Sequence, residues 1–132
     1  IGFTIMEAHL INGVALAYIG DAYYELSIRK YLLSLGITKV NELHKTAIKF
    51  TAGSVQANLM DQFIEQGLLT ETEISYFKKD RNASGPGRKN IDMATYHKST
   101  GFEAMMGYLY LTDLNRCDEL IHLAIQILTE KA

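Results

Sequence analysis

The chain has 132 residues, of which 48% are hydrophobic and 21% are charged, and its formal net charge at pH 7 is −2. This length and composition predict one globular domain covering residues 1–132, with a core that needs no disulfides. A net charge so close to zero excludes overall electrostatic attraction to nucleic acid, so any polyanion has to be bound by a local cluster of cations. No apolar run is long enough to span a bilayer, which argues against a membrane protein.

The cysteine content and the first residues bear on the cellular compartment. Cys117 is the only cysteine, so no internal disulfide can form, and a reducing cytoplasm is the expected compartment. No basic and apolar leader segment opens the chain. Met6 is the expected natural start, with residues 1–5 an added segment.

Helical periodicity predicts an all-α fold, because β-branched residues do not alternate and the chain has one proline. The expected helices cover about residues 12–35, 41–50, 54–66, 70–77, 94–111 and 113–131. Thr38 or Asn41 is the expected cap of the second helix, and the segment from Thr70 to Glu73 fits a capping box. The first helix is apolar on nearly every face, which is typical of a buried helix at the centre of a fold, surrounded by the others.

The two most apolar helices each carry an acid beside glycine. Asp21 follows Gly20 in the first, and Glu103 lies between Gly101 and Gly107 in the second. Because glycines let two backbones approach closely, we expect the helices to cross near Gly20 and Gly101, with the two carboxylates face to face in a dry crevice. Oxygen ligands at close quarters suit Mg²⁺, which takes one or two protein carboxylates, keeps several waters and binds phosphate.

A structural interpretation of these acids stays open. Asp21 or Glu103 alone is more simply explained by a core ion pair, whereas the two together, each beside a glycine, also fit a metal site. Glu25 lies one turn after Asp21 on the same face. It is either a further metal ligand or the salt-bridge partner of Arg29, four residues on.

Positive charge is concentrated between residues 78 and 89. This segment is polar and glycine-rich and contains the one proline, which predicts a long exposed loop. In isolation a short basic loop is most simply a solvated turn. Beside a carboxylate site it fits a metal-dependent nuclease, because Lys and Arg bind phosphates without reading sequence. The five basic residues are Lys78, Lys79, Arg81, Arg88 and Lys89.

The remaining residues with reactive side chains form no recognisable motif. The four histidines lack metal-ligand spacing, and Cys117 is not expected to be a nucleophile. The chain has no phosphate-binding loop, dinucleotide fingerprint or nucleophile elbow.

Two segments resemble the signature segments of the ribonuclease III catalytic domain. AYIGDA at Ala17–Ala22 resembles the EFLGD-type motif on that family's central helix, and TGFEAMMGYLYL at Thr100–Leu111 resembles its D-x-x-E-A-hydrophobic-hydrophobic-G segment. Gly20–Glu25, Leu43–Lys45 and the loop with Arg81–Asn82 are similar to segments of the Mini-ribonuclease III subgroup, which lacks a double-stranded-RNA-binding domain. The resemblance begins at about residue 9 and covers almost the whole chain.

The resemblance implies a helical domain of the ribonuclease III endonuclease type that cuts double-stranded RNA as a homodimer, uses Mg²⁺ and leaves 5′-phosphate ends. Asp21 and Glu103 match the metal-binding catalytic acids, and Glu25 is a further candidate ligand. Tyr18 matches an aromatic residue at the dimer interface. The implied RNA-binding residues are Lys78, Lys79, Arg81, Asn82, Arg88 and Lys89. The implied role is maturation of large-subunit (23S) ribosomal RNA, with a ribosomal protein on the RNA as a further partner.

Two acids of the larger family members are absent. Ala17 stands where they have the glutamate of the EFLGD-type motif, and Thr100 stands where they have the aspartate of D-x-x-E. This departure is similar to that of the Mini subgroup and leaves the number of metal ions open. The alternative is therefore a non-catalytic dimer that binds double-stranded RNA. A third hypothesis is a structural helical protein whose Asp21 and Glu103 form core ion pairs.

Overall fold

The structure, a computed structural model, describes residues 2–81 and 92–130. Within those ranges the chain forms helices and no strands, which confirms the all-α class. The helices are α1 (Ile5–His9), α2 (Gly13–Ser34), α3 (Val40–Thr51), α4 (Gly53–Glu65), α5 (Glu71–Arg81), α6 (Met93–Thr112) and α7 (Leu114–Thr129). None of them, in the part of the chain that is described, is long and apolar enough to cross a membrane.

The helix ends follow local capping chemistry, with some departures from expectation. The Thr70 nitrogen donates to Glu73 Oε1 at 2.8 Å and the Glu73 nitrogen to Thr70 Oγ1 at 3.1 Å, which confirms the capping box at the start of α5. Helix α3 starts after Lys39 with no side-chain cap, so the expectation of a cap from Thr38 or Asn41 is wrong. Helix α5 continues to Arg81, so the first part of the segment read as a loop is helical.

The core lies around α6, which packs against α2, α4, α5 and α7. Its middle turns are buried almost completely because neighbours cover every side of them. The largest fully buried hydrophobic side chains are Leu16, Tyr24, Ile28, Leu32, Leu59, Met60, Phe63, Phe102, Met105, Met106 and Leu120. Each apolar side chain of this size contributes about 1.5–3 kcal/mol when it is removed from water, so these contacts account for the helical packing.

One face of α2 is open. Val14, Tyr18 and Leu26 are exposed along it, Tyr18 to 82% of its surface. The expectation that every apolar face of this helix is covered therefore does not hold within a single chain. Periodicity alone cannot distinguish a face that packs within the chain from one that remains open.

Glycines set the contact between α2 and α6. A Cβ atom at Gly20 would overlap the Glu103 carbonyl oxygen and lie 2.6 Å from the Gly107 nitrogen, and one at Gly107 would overlap the Leu16 carbonyl oxygen. Gly101 instead lies against Phe77 of α5, where a Cβ would meet the phenyl ring at 2.6 Å. The two helices thus cross at Gly20 and Gly107, and the expected crossing at Gly101 is wrong.

Candidate active site

Glu103 lies at the crossing of α2 and α6, where both its backbone and its side chain contact neighbouring helices. Its backbone carbonyl lies directly against Gly20, so its position along α6 is tied to the middle of α2. Its side chain is half-buried, and Gln56 Nε2 on α4 donates to Glu103 Oε2 at 3.5 Å. This carboxylate is therefore approached by a donor from a third helix.

Asp21 is the residue after Gly20, so it lies at the same crossing. It is exposed, and its side chain makes no hydrogen bond or ion pair with any other residue that the structure describes. The expectation of two carboxylates in a dry crevice is therefore wrong for Asp21. The reason is that α2 is covered by α6 on one side only, and Asp21 lies on the open side of that contact.

The donor set fits a hydrated divalent cation better than a cage of protein ligands. Within residues 2–81 and 92–130, no three or more His, Cys, Asp or Glu side chains are grouped so that they could hold a metal ion. Two carboxylates on adjoining helices, one of them open to solvent, match Mg²⁺, which keeps several of its waters. They do not match the four-ligand sites of structural zinc. The metal-binding roles of Asp21 and Glu103 stay predictions.

Glu25 has a cationic partner on its own helix. Arg29 Nε lies 3.3 Å from Glu25 Oε2, which is the salt bridge anticipated from their spacing. The pair lines one side of a groove of about 360 Å³ between α2 and α3, with Leu43 and His44 opposite. A pairing between partly exposed side chains contributes little to stability, so it leaves the prediction of Glu25 as a metal ligand untested.

The residues assigned to RNA binding lie at the end of α5 or outside the described residues. Lys78 is exposed on the last turns of α5. Lys79 is also exposed, but its Nζ donates to the His9 carbonyl at 2.7 Å and lies 5.3 Å from the centre of the Tyr76 ring. Arg81 is the last residue of α5. Asn82, Arg88 and Lys89 lie outside the described residues.

The two positions where the larger enzymes have acids carry no carboxylate in this chain. Ala17 is buried in the core of α2, and Thr100 is half-buried on α6. A glutamate at position 17 would need room in a core that its methyl group now fills. The carboxylates at the crossing are therefore those of Asp21 and Glu103.

Sequence reasoning missed the polar side chain behind Glu103. Gln56 is 1% exposed, and its Oε1 lies 2.7 Å from Ser99 Oγ on α6. A glutamine on the otherwise apolar face of α4, among Ala57, Leu59 and Met60, was the available signal. Its partners could not be read from the sequence, because they lie more than forty residues away.

A second polar cluster, the Arg116 corner, joins α5 to α7. It consists of Arg116, Glu73, Thr70, Glu119 and the Leu68 carbonyl. Arg116 Nε lies 2.7 Å from Glu73 Oε2, and Arg116 also donates to Glu119 and to the Leu68 carbonyl. Burial raises the pKa of Glu73, but hydrogen bonds from Arg116 and Thr70 more than offset this, and the net pKa lies below its usual value. Arg116 and Glu73 therefore form a structural ion pair at this corner.

Cys117 is not a nucleophile at neutral pH. It is fully buried, and its Sγ lies 3.5 Å from the Met106 carbonyl. Burial raises the pKa of the thiol to about 12, with smaller contributions from Asp118 and Asp113. Burial therefore disfavours the thiolate that such chemistry requires.

Comparison with known proteins places this arrangement in context. The family described as Ribonuclease III domain matches residues 14–114. The Mini-ribonuclease 3 of Acholeplasma laidlawii is 46% identical over 120 residues, covering 91% of this chain and 96% of that protein. The Mini-ribonuclease 3 of Streptococcus pneumoniae is 44% identical over 124 residues, covering 92% and 97%. A crystal structure of a protein from Fusobacterium nucleatum superposes with a TM-score of 0.75 at 28% identity, covering 93% of this chain and 95% of that one.

Proposed function

The chain belongs to the ribonuclease III family, and we propose that it is a Mg²⁺-dependent endoribonuclease that hydrolyses double-stranded RNA at Asp21 and Glu103. One observation carries the proposal. The Gly20 backbone lies directly against the Glu103 backbone, which supports a single site for the two catalytic acids proposed on neighbouring helices. The arrangement leaves Asp21 on the solvent side, where a phosphate of the substrate has access.

The residues of the chain divide the work at this site. Asp21 and Glu103 would hold the cation, which supplies a Lewis acid for the phosphate and lowers the pKa of a bound water. Glu103 is half-buried, and the Gln56 amide nitrogen lies 3.5 Å from its Oε2, so a neutral donor stands beside the carboxylate. Asp21 is exposed and therefore available to substrate and solvent together. By the family's pattern the products carry 5′-phosphate ends.

RNA affinity is proposed to come from the end of α5 and the segment after it. Lys78 and Lys79 are exposed there, and the net charge of the chain is slightly negative. Binding by so few phosphate contacts is weak, and it weakens further as the salt concentration rises. Double-stranded RNA is recognised mainly by shape, 2′-hydroxyls and phosphates, so base contacts are not required.

We place the reaction in the cytoplasm, in the maturation of 23S ribosomal RNA. The support is the membership of the Mini subgroup and the single buried cysteine, which suits a reducing compartment. Weak intrinsic affinity would be offset by an RNA already folded or bound by a ribosomal protein.

A homodimer through the open face of α2 completes the proposal. Val14, Tyr18 and Leu26 lie four and eight residues apart on one stripe of that helix, and all three are exposed. Large apolar side chains grouped on one exposed helix face are typical of an interaction surface. A two-fold axis through the stripe would pair it with itself and provide one site for each strand of a duplex.

The test is cleavage of a long, end-labelled RNA duplex at low salt, with and without Mg²⁺. Asp21→Asn and Glu103→Gln are expected to lower the rate at least about 1,000-fold, which corresponds to roughly 4 kcal/mol of transition-state stabilisation. Glu65→Gln, an exposed acid on α4, is the matched control and should cleave like the wild type. Circular dichroism would show that all three variants remain folded.

The opposite result would favour a different class of function. If the wild type bound the duplex but left it intact at every metal concentration, the catalytic proposal would fail. The absent acids at Ala17 and Thr100 favour that alternative, a double-stranded-RNA-binding dimer. In that case Asp21→Asn should leave RNA binding unchanged.

A further inference from the structure

Gln56 is one of only two buried polar or charged side chains in the described part of the chain, and it is 1% exposed. A buried amide without hydrogen-bond partners costs about 1–3 kcal/mol, so its partners explain why it is tolerated. Two side chains of α6 are its partners: Ser99 Oγ lies 2.7 Å from Gln56 Oε1, and Glu103 Oε2 lies 3.5 Å from Gln56 Nε2. Gln56 therefore joins α4 to the helix of the proposed active site.

The direction of this chain of hydrogen bonds is fixed by chemistry. An ionised carboxylate only accepts, so the Gln56 amide nitrogen has to face Glu103 and its oxygen has to face Ser99. Ser99 must then donate its hydroxyl proton to the amide. Because Ser99 and Glu103 are one helical turn apart, they form a rigid pair that selects one orientation of the amide.

The type of donor matters at a site that is to bind a cation. An amide can orient a carboxylate without adding a positive charge beside it, whereas an arginine in that position would compete with the metal. Donors behind metal-binding carboxylates commonly fix the geometry of the ligand in this way. The geometry of Gln56 and Ser99 fits that role.

We infer that Gln56 is a positioning residue for the cleavage reaction, which holds the Glu103 carboxylate in its metal-binding orientation, and that Ser99 fixes the amide. The inference rests on the proposed function of Glu103. A merely structural bridge between α4 and α6 is the competing interpretation. It predicts lost stability with no change in metal binding.

The experiment compares Gln56→Met with Gln62→Met. Methionine keeps the length and volume of glutamine but removes donor and acceptor. Gln62 is on the same helix and donates to Asn58 at 2.5 Å, so its variant removes similar chemistry away from Glu103. Mn²⁺ binding to the RNA-free protein would be measured by calorimetry, and kcat and KM on duplex RNA as a function of Mg²⁺ concentration. Thermal unfolding of the metal-free proteins would report stability.

Gln56→Met is expected to weaken Mn²⁺ binding and lower kcat by about 10- to 100-fold, with KM for RNA unchanged. Gln62→Met should match the wild type in Mn²⁺ binding and in kcat. Ser99→Ala should show a smaller loss in the same direction, and Ser99→Thr, which keeps the hydroxyl, should recover it. In a Glu103→Gln background, Gln56→Met should cause no further loss of Mn²⁺ binding, because Gln56 acts through Glu103.

The inference is overturned if Gln56→Met and Ser99→Ala bind Mn²⁺ and cleave as the wild type does. It is also overturned if they lose only thermal stability. Should Gln56→Met not fold, Ser99→Ala and Ser99→Thr decide the question by the same measurements. If the wild type and both variants cleave equally well, only the positioning role is refuted. If the wild type does not cleave, the proposed function is refuted, and the positioning role with it.

Discussion

Glu73 and Glu103 are two glutamates shielded from solvent and held by different kinds of partner. Glu73, 3% exposed, lies against the guanidinium of Arg116 and caps α5 through Thr70. Glu103, half-buried, receives the neutral amide of Gln56 and lies where α2 and α6 touch. At the Arg116 corner charge holds helices together, whereas at the crossing of α2 and α6 glycine contacts hold the helices and the acid is oriented by an amide.

This difference separates a structural acid from a candidate catalytic one. Burial alone does not, because Glu73 is the more buried of the two. A guanidinium partner stabilises the ionised acid but occupies its oxygens. An amide partner uses one lone pair and adds no charge. The core ion pair that the sequence suggested for Asp21 and Glu103 is the kind of contact that Glu73 makes, and it stays untested for those two acids.

Gly20→Ala is expected to have the largest effect, because it breaks the crossing itself. The new methyl group would overlap the Glu103 carbonyl oxygen, a backbone atom that cannot rotate away. We expect a loss of at least about 4 kcal/mol in the free energy of unfolding, although alanine is the better helix former. Urea denaturation would measure it. Lys30→Ala, an exposed position on the same helix, should change stability by less than about 0.5 kcal/mol, and an equal loss in both would contradict the close contact.

Glu73→Gln is expected to have the next largest effect and to act at the other glutamate. It should lower the free energy of unfolding by about 3 kcal/mol at pH 7, because Arg116 loses its buried counter-charge. Glu119→Gln, which removes the exposed partner of Arg116, should cost less than about 1 kcal/mol. RNA cleavage by the folded fraction should be unchanged in both variants.

The loss of stability caused by Glu73→Gln should depend on pH in a defined direction. The pKa of Glu73 in the folded chain lies below its ordinary value of 4.5. The stabilisation is therefore complete above the unfolded pKa and is lost as the pH falls through the folded pKa. The difference between the wild type and Glu73→Gln should stay constant above about pH 5.5 and shrink below about pH 4.5. A difference that grew on acidification would contradict the ion pair.

Tyr18→Ala is expected to have the smallest effect of the three and to leave both glutamates undisturbed. Tyr18 is 82% exposed, so unfolding of the single chain should be almost unchanged. A central aromatic side chain at an interface contributes about 2 kcal/mol, so dimer dissociation should become roughly 30-fold easier. Analytical ultracentrifugation would measure it. Ile64→Ala, an exposed apolar residue on α4, is the control, and a wild type that is monomeric at every concentration would refute the dimer.

The sequence predicted the pairing of two apolar helices but not which glycine makes the contact. Gly101 and Gly107 are six residues apart, about 240° around a helix, so they face different neighbours. Gly107 is four residues after Glu103 and therefore shares its face, which was the usable signal. Which of the two faces meets α2 depends on tertiary packing that a periodic pattern does not record.

The partners of the buried polar groups were also beyond local sequence. Glu73 was recognised as part of a capping box because its partner Thr70 is three residues away. Its second partner, Arg116, and the link from Gln56 to Glu103 join helices that are distant in sequence. The prediction that Asp21 is buried is wrong, because it assumes that an apolar helix is covered on every face.

The close contact of α2 and α6 also limits motion at the proposed site. Where two main chains touch without intervening side chains, there are no rotamers whose exchange would let the helices slide. Backbone amides near Gly20 and Gly107 should therefore be among the slowest in the chain to exchange with deuterium, opening only with global unfolding. Any adjustment to RNA duplexes of different shape would then occur away from this contact, while the spacing of the backbone at Asp21 and Glu103 stays constant.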